Sequence, residues 1–265
     1  MGDTEYRQTS RNKIHRLRNR GHYDFKTVHE IINGATVLHV SFVPDPSDPF
    51  PIVLPMIGQL GLFSDDRAAT FDLGQPLDLY LHGSISSHLM RLCQEALERG
   101  EVGLPLCIAA TRVDGLVLAL TPFHHSYNFR SAVLHGHGQV VQDLSEKMYA
   151  LELITNKVVP ERWQNTRTPP NKVELESTHI LRVQVFSGSA KVRLGGPNGD
   201  RGDLKNPDVL QKYWSGVVPM WEMLGDPLPA PQTQLSVPRH VSSFIEKRNL
   251  ANRVEAQEAA KELKA

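Results

Sequence analysis

Leu79-Tyr-Leu-His-Gly-Ser-Ile-Ser-Ser-His88 decides how this chain is read. Leu77 to Leu81 is strand-like and runs straight into His82-Gly83-Ser84. From Ser84 to Arg99 the spacing changes: Ile85, Leu89, Leu92/Cys93 and Ala96 recur at helical intervals and Gly100 follows, which predicts a helix. A strand that passes through glycine into a serine-rich helix start is physically an anion site. Backbone N–H groups and the positive helix end face the loop, Gly83 permits close approach, and Ser84, Ser86 and Ser87 add hydroxyl donors. Serines at a helix start also serve as plain caps, the commoner role, so both readings stand at this point.

Upstream, Asp24 to Asn33 reads as a short helix with Phe25, Val28 and Ile32 on one face and capping-box spacing in Thr27-Val-His-Glu30. Ala35 to Val43 and Pro51 to Gly58 are strand-like, and the Pro/Asp cluster at 44–49 between them makes an antiparallel hairpin. A loop containing Asp65-Asp66 follows. Downstream, Leu104 to Val113, a tight Asp114-Gly115 turn and Leu116 to Leu120 predict a second hairpin. Asn128 to Val141 is another strand. Asp143-Leu-Ser-Glu146 opens a long helix with Leu144, Met148, Leu151 and Ile154/Val158 along one stripe, and Thr178 to Val192 is the last long β run. About six strands in hairpin order, without regular strand–helix alternation, predict a mainly β fold with accessory helices: a small antiparallel barrel.

The predicted organisation is a basic arm at 1–20, a barrel domain at 21–226, a Pro-rich connector at 227–238 and a C-terminal helix at 239–265, the helix being accessory to any site in the barrel. The arm carries six Arg/Lys against two acids, but the whole chain balances 29 Lys plus Arg against 29 Asp plus Glu and has no helix-turn-helix or zinc-finger spacing, so no nucleic-acid partner is expected. A solvated arm is. The longest apolar run, Leu116 to Leu120, falls far short of the ~20 residues that cross a bilayer, so no membrane association is expected. Two cysteines, no Asn-x-Ser/Thr sequon and no apolar leader predict a cytoplasmic protein with reduced thiols.

Two further stretches carry candidate chemistry. Thr121-Pro-Phe-His-His-Ser-Tyr-Asn-Phe-Arg-Ser131 is followed by His135 and His137, which share a strand face; with His82, His124 or His125 they have metal-ligand chemistry. No carboxylate or Cys is spaced to complete a familiar site, so hydrogen-bonded barrel histidines are expected and no metal. Lys191 and Arg193 put two cations on one face at a strand end, either a solvated face or a clamp for an anionic cofactor. Dinucleotide, Walker, nucleophile-elbow and zincin motifs are lacking, and Cys93 and Cys107 fall in apolar patterns that read as core.

In their order, these pieces resemble the pyridoxamine 5'-phosphate oxidase-like FMN-binding split-barrel superfamily, in its flavin-nucleotide-binding branch near the nitroimidazole-resistance reductases. The resemblance spans about residues 16 to 220. It is carried by Gly21-His-Tyr-Asp-Phe25, Pro51-Ile-Val-Leu-Pro-Met56, Leu79-Tyr-Leu-His-Gly-Ser84, Val113-Asp-Gly-Leu-Val117, Phe123-His-His-Ser126 with Asn128-Phe-Arg-Ser131, and Trp214-Ser-Gly-Val-Val-Pro219.

The resemblance implies an antiparallel six-stranded split barrel and a homodimer that buries FMN at its shared interface. It implies that Leu54, Pro55, Met56 and Ile57 line the flavin ring and that His82, Gly83, Ser84 and Ser87 hold its phosphate-proximal part. Asn128, Arg130, Ser131, Lys191, Arg193 and Trp214 are further cofactor candidates. Where the branch has Ser-Arg this chain has Ser87-His88, which leaves His88, or Arg91 one turn on, to replace the phosphate cation. Phe129 stands where a Tyr is common, and the C-terminal signature of the true oxidases is not evident. The implied activity is an FMN-dependent oxidoreductase passing electrons from NADH or NADPH to a nitro compound, quinone or conjugated carbonyl, with His82 as the catalytic candidate for proton donation or substrate contact. A flavin-binding protein without turnover and a haem-binding split barrel are the alternatives.

Overall fold

The computed structural model describes residues 4–64 and 71–261; the expected Asp65-Asp66 loop lies outside the described residues. The chain divides into two compact units, residues 1–110 with 131–190, and residues 111–130 with 191–265. In order, the elements are β1 (Gly21–His22), α1 (Phe25–Gly34), β2 (Leu38–Phe42), β3 (Ile52–Met56), β4 (Gly58–Gly61), β5 (Asp78–Ser84), α2 (His88–Glu98), β6 (Leu104–Leu118), β7 (Ser126–Val140), α3 (Leu144–Val158), α4 (Lys172–Ser177), β8 (Thr178–Arg193), α5 (Pro207–Lys212), β9 (Gly216–Pro219) and α6 (Arg239–Ala260).

In the first unit the strand order is β3-β2-β6-β7-β8-β5-β4, with β1 beside β8. These neighbours pair antiparallel: Val40 faces Leu54 across β2–β3, and Leu81 faces Gly58 across β4–β5 and Leu181 across β5–β8. The two ends of the order, β3 and β4, are separated in the chain by Ile57 alone. One bent stretch therefore pairs with β2 at its start and with β5 at its end. Counted as one, it reduces the path to six strands, an antiparallel split barrel whose sheet is not closed by hydrogen bonds at that bend. Period-two alternation fills the interior: Leu38, Val40, Leu60, Leu79, Leu81, Leu106, Ile108, Leu134, Ile180 and Val183 are buried.

α1 starts one residue later than the sequence suggests because Asp24 caps it, accepting from Thr27 N at 2.8 Å. The stripe expected on α3 is displaced: Glu146, Ala150 and Ile154 are buried, whereas Leu144 and Val158 are exposed. The cause is polar. Tyr80 Oη donates to Glu146 Oε1 at 3.0 Å and Arg182 joins the same carboxylate at 3.3 Å, turning the 146–150–154 face inward. The basic arm is not simply solvated either. Tyr6 and Asn12 are buried, and Asn12 Nδ2 donates to Gly188 O at 3.0 Å.

The second unit corrects the expected Asp-Gly hairpin, because β6 continues through Asp114 and Gly115 to Leu118. Gly115 faces Pro219 across β6–β9, and a Cβ there would lie 3.1 Å from Val218 O. The dipeptide marks a close approach of two strands rather than a turn. Residues 227–238 hold neither helix nor strand, and α6 follows.

Candidate functional site

In the first unit, the β5–α2 junction has the strand-to-helix form that its sequence predicts. The helix begins at His88, later than expected, because Ser87 is its N-cap and accepts from Met90 N at 3.3 Å. Ser87 thus fills the cap role. Ser84 does not: its Oγ lies 2.9 Å from Ser86 Oγ, with both residues exposed. Ser87 N donates to Ser84 O at 2.9 Å, which folds the loop back over the helix start.

Gly83 needs its missing side chain for packing. A Cβ there would sit 2.8 Å from Met90 Cε and 3.9 Å from Met56 Cε. This glycine brings together the end of β3, the end of β5 and the first turn of α2, so Met56 and Gly83 are close. Leu54, Met56 and Ile57 are half-buried and Pro55 is exposed, with Pro55 opposite His39 in the β2–β3 ladder. His82 is exposed at the β5 end and faces Ile180 in β8. His88 is exposed and lies edge-on to Phe42, ring centroids 6.3 Å apart; Arg91 is exposed one turn on. Ser131 is half-buried in β7. Met90 and Phe42 escaped the sequence reading, since an apolar residue in a helix or strand carries no signal of its neighbour.

The second unit holds the other candidates. Asn128 is fully buried; its Nδ2 donates to Gly195 O at 3.1 Å and Ala259 O at 2.9 Å, and its Oδ1 accepts from Arg193. Arg193, also buried, donates further to Gly196 O at 3.1 Å. Asn128 and Arg193 therefore meet each other and main-chain carbonyls. Arg130 grips Asp114 through two nitrogens, at 2.9 and 2.7 Å, and reaches Glu255 at 3.0 Å. Burial opposes its charge, but the hydrogen bonds from Asp114 and Glu255 outweigh that and hold its pKa above the ordinary value. Arg112 bonds to Asn252 at 2.8 Å in the same cluster. The C-terminal helix, expected to be accessory, thus anchors Asn128, Arg130 and Arg112 of its unit. Lys191 is half-buried and Trp214 is exposed, its ring against Gly216.

The histidines are dispersed. His137 stacks on Phe186 with centroids 5.2 Å apart, while His125 Nδ1 accepts from Ala119 N at 3.0 Å. Among the described residues, no group of three His, Cys, Asp or Glu is placed to hold a metal ion, and no helix is long and apolar enough to cross a membrane. Cys93 is buried, which pushes its thiol up to about 12, and burial also raises half-buried Cys107.

A family profile described as pyridoxamine 5'-phosphate oxidase matches residues 24–192. Among solved structures, the chain is similar to the flavocytochrome Anf3 from Azotobacter vinelandii, with 26% identity and a TM-score of 0.69, over 89% of this chain and 97% of that one. It is also similar to the FAD and haem binding protein from Mycobacterium smegmatis, with 24% identity and a TM-score of 0.65, over 85% of this chain and 97% of that one. No protein of curated function matches the chain.

Proposed function

We propose, from the premise that this chain belongs to the pyridoxamine 5'-phosphate oxidase family, that it is an FMN-dependent oxidoreductase passing electrons from a reduced nicotinamide to a small organic acceptor such as a nitro compound, quinone or conjugated carbonyl. The observation that carries this reading is the β5–α2 junction. Exposed Ser84 and Ser86 hydroxyls stand beside the start of an eleven-residue helix, and residues 82–91 contain no carboxylate. That donor set suits a phosphate, because N–H and O–H groups at a helix N-terminus face an anion with the dipole in their favour. Arg91 adds a cation and His88 an imidazole N–H on the same helix, and Met56 beside Gly83 offers an apolar edge for a ring.

When bound, the flavin supplies the hydride and electron chemistry. The chain's own part is to hold the phosphate at Ser84, Ser86 and the first turn of α2, and to orient the ring along Leu54–Ile57. His82, exposed at the end of β5, is the candidate in this reading for proton donation or substrate contact. A second copy of the chain belongs to this reading, and the exposed Val53 and Phe186 of the first unit are apolar strand surface that it would cover. Anaerobic addition of NADH or NADPH to the flavin-loaded protein tests turnover: bleaching of the flavin supports the enzyme, and an unchanged spectrum leaves a flavin carrier.

The 26% identity to a flavocytochrome over 89% of the chain favours a second reading, in which haem accompanies the flavin. His135 is its first candidate. Burial, then the charge of Arg11, lowers its pKa and keeps the neutral imidazole that haem iron takes, and its Nδ1 has no hydrogen-bond partner among the described residues. An intense Soret band lost in His135→Ala would support it.

A further inference from the structure

We propose that the first unit carries a second small-molecule site, a cavity between β4, α3 and the turn at Trp163 that takes a planar heteroaromatic ring bearing an amino group. The cavity has a volume of about 490 Å³, within the range of ligand pockets, and none of the candidate cofactor residues lines it. β4 ends the strand order of the sheet, so no further strand among the described residues covers its outer edge. The walls are aromatic. Phe63 and Tyr149 lie with ring centroids 5.6 Å apart and planes tilted by 51°, and Trp163 lines the cavity as well.

Hydrogen bonds fix these walls before any ligand arrives. Tyr149 Oη accepts from Leu62 N at 3.0 Å, tying α3 to the end of β4, and Asn156 Oδ1 accepts from Trp163 N at 2.9 Å, tying the turn to the same helix. Aromatic walls already held by hydrogen bonds favour a flat ligand, since a ring packs on them with little side-chain ordering still to be lost.

The polar lining selects the ligand's substituent. Gln59 lines the cavity, and its Oε1 is shielded from solvent without a hydrogen-bond partner among the described residues. Buried acceptors in native proteins are nearly always satisfied, so an orphan beside a cavity points to a donor that arrives with a ligand. Glu152 adds a carboxylate whose Oε1 accepts from Gln164 Nε2 at 2.8 Å. Lys157 also lines the cavity, but its ammonium already donates to Asn33 O. Among the described lining side chains, Gln59 Oε1 is the buried polar atom left without a partner, and an acceptor favours an amino-bearing ring over a carbonyl-bearing one.

Calorimetric titration of the full-length protein with 2-aminopurine and with unsubstituted purine tests the proposal. Saturable binding of 2-aminopurine is expected, about three- to tenfold tighter than purine, the range of one hydrogen bond. Gln59→Leu, nearly isosteric and free of the orphan acceptor, should erase that preference while leaving purine binding unchanged, and Trp163→Ala should weaken both. Absence of saturable binding, or equal affinity of the parent for the two ligands, overturns the proposal; the second comparison stands even if a variant fails to fold. The site shares no residue with the proposed flavin site, so a flavin that binds normally in Trp163→Ala separates the failure of one from that of the other.

Discussion

Acidification should loosen the attachment of the N-terminal arm in a way that isolates one histidine. His29 is fully buried in α1, with Nδ1 2.8 Å from Leu73 O and Nε2 2.7 Å from Tyr6 Oη. A carbonyl only accepts, so Nδ1 carries the proton and Nε2 accepts from the tyrosine, which requires the neutral ring. Burial lowers its pKa from 6.5 to about 4. Above pH 6.5 both folded and unfolded chains hold the neutral form and the group contributes its full stability. Between 6.5 and 4 the unfolded chain binds the proton first, so stability falls as pH falls, by about 1.4 kcal/mol per pH unit and about 3 kcal/mol across the window. Urea unfolding at intervals from pH 7.5 to 4 measures it. Carboxylates titrate in the same range, so the decisive quantity is the difference between the parent and the double variant Tyr6→Phe, His29→Leu, which removes donor and acceptor together. The difference should shrink by about 3 kcal/mol toward pH 4; parallel profiles would refute the buried neutral histidine.

Ser84→Ala is the cleaner probe of the phosphate grip, because Ser87 also caps α2 and its loss costs about 1 kcal/mol of helix stability. FMN affinity should fall about tenfold or more, while riboflavin binding stays unchanged in fluorescence titration; equal losses would move the phosphate elsewhere. Asn128→Leu removes the buried amide that donates to Gly195 O and Ala259 O and accepts from Arg193, and the loss of these three bonds, one of them to a charged group, should cost about 3–5 kcal/mol in urea unfolding. Truncation after residue 226 removes Asn252, Glu255 and the Ala259 carbonyl from the same cluster, so a second proteolytic fragment pattern covering residues 111–130 is expected; an unaltered digest would mean that α6 is dispensable. Maleimide should label Cys107 slowly and Cys93 only on unfolding, given their burial and raised thiols.

The sequence carried the barrel where alternation and turn chemistry agreed. β2 and β3 with the Pro/Asp loop, and β5 entering α2, stand where residue patterns put them. It failed where a polar residue was buried for its partner. Asp114-Gly115 has the form of a turn, but Asp114 is an ion-pair anchor for Arg130, 16 residues on, and spacing along one strand cannot reveal that. Glu146 likewise turned α3, because its partners Tyr80 and Arg182 sit on other strands. At the candidate site, glycine and serine were legible as a loop entering a helix, since their backbone roles are local. The packing of Met90 and Met56 against Gly83 was not, being set by tertiary neighbours.

The visible absorption spectrum of the protein purified without added cofactor bears most directly on the central reading. The account predicts the two broad bands of an oxidised flavin, with FMN as the chromophore released on denaturation. A colourless, folded protein that also fails to take up FMN on incubation would contradict it.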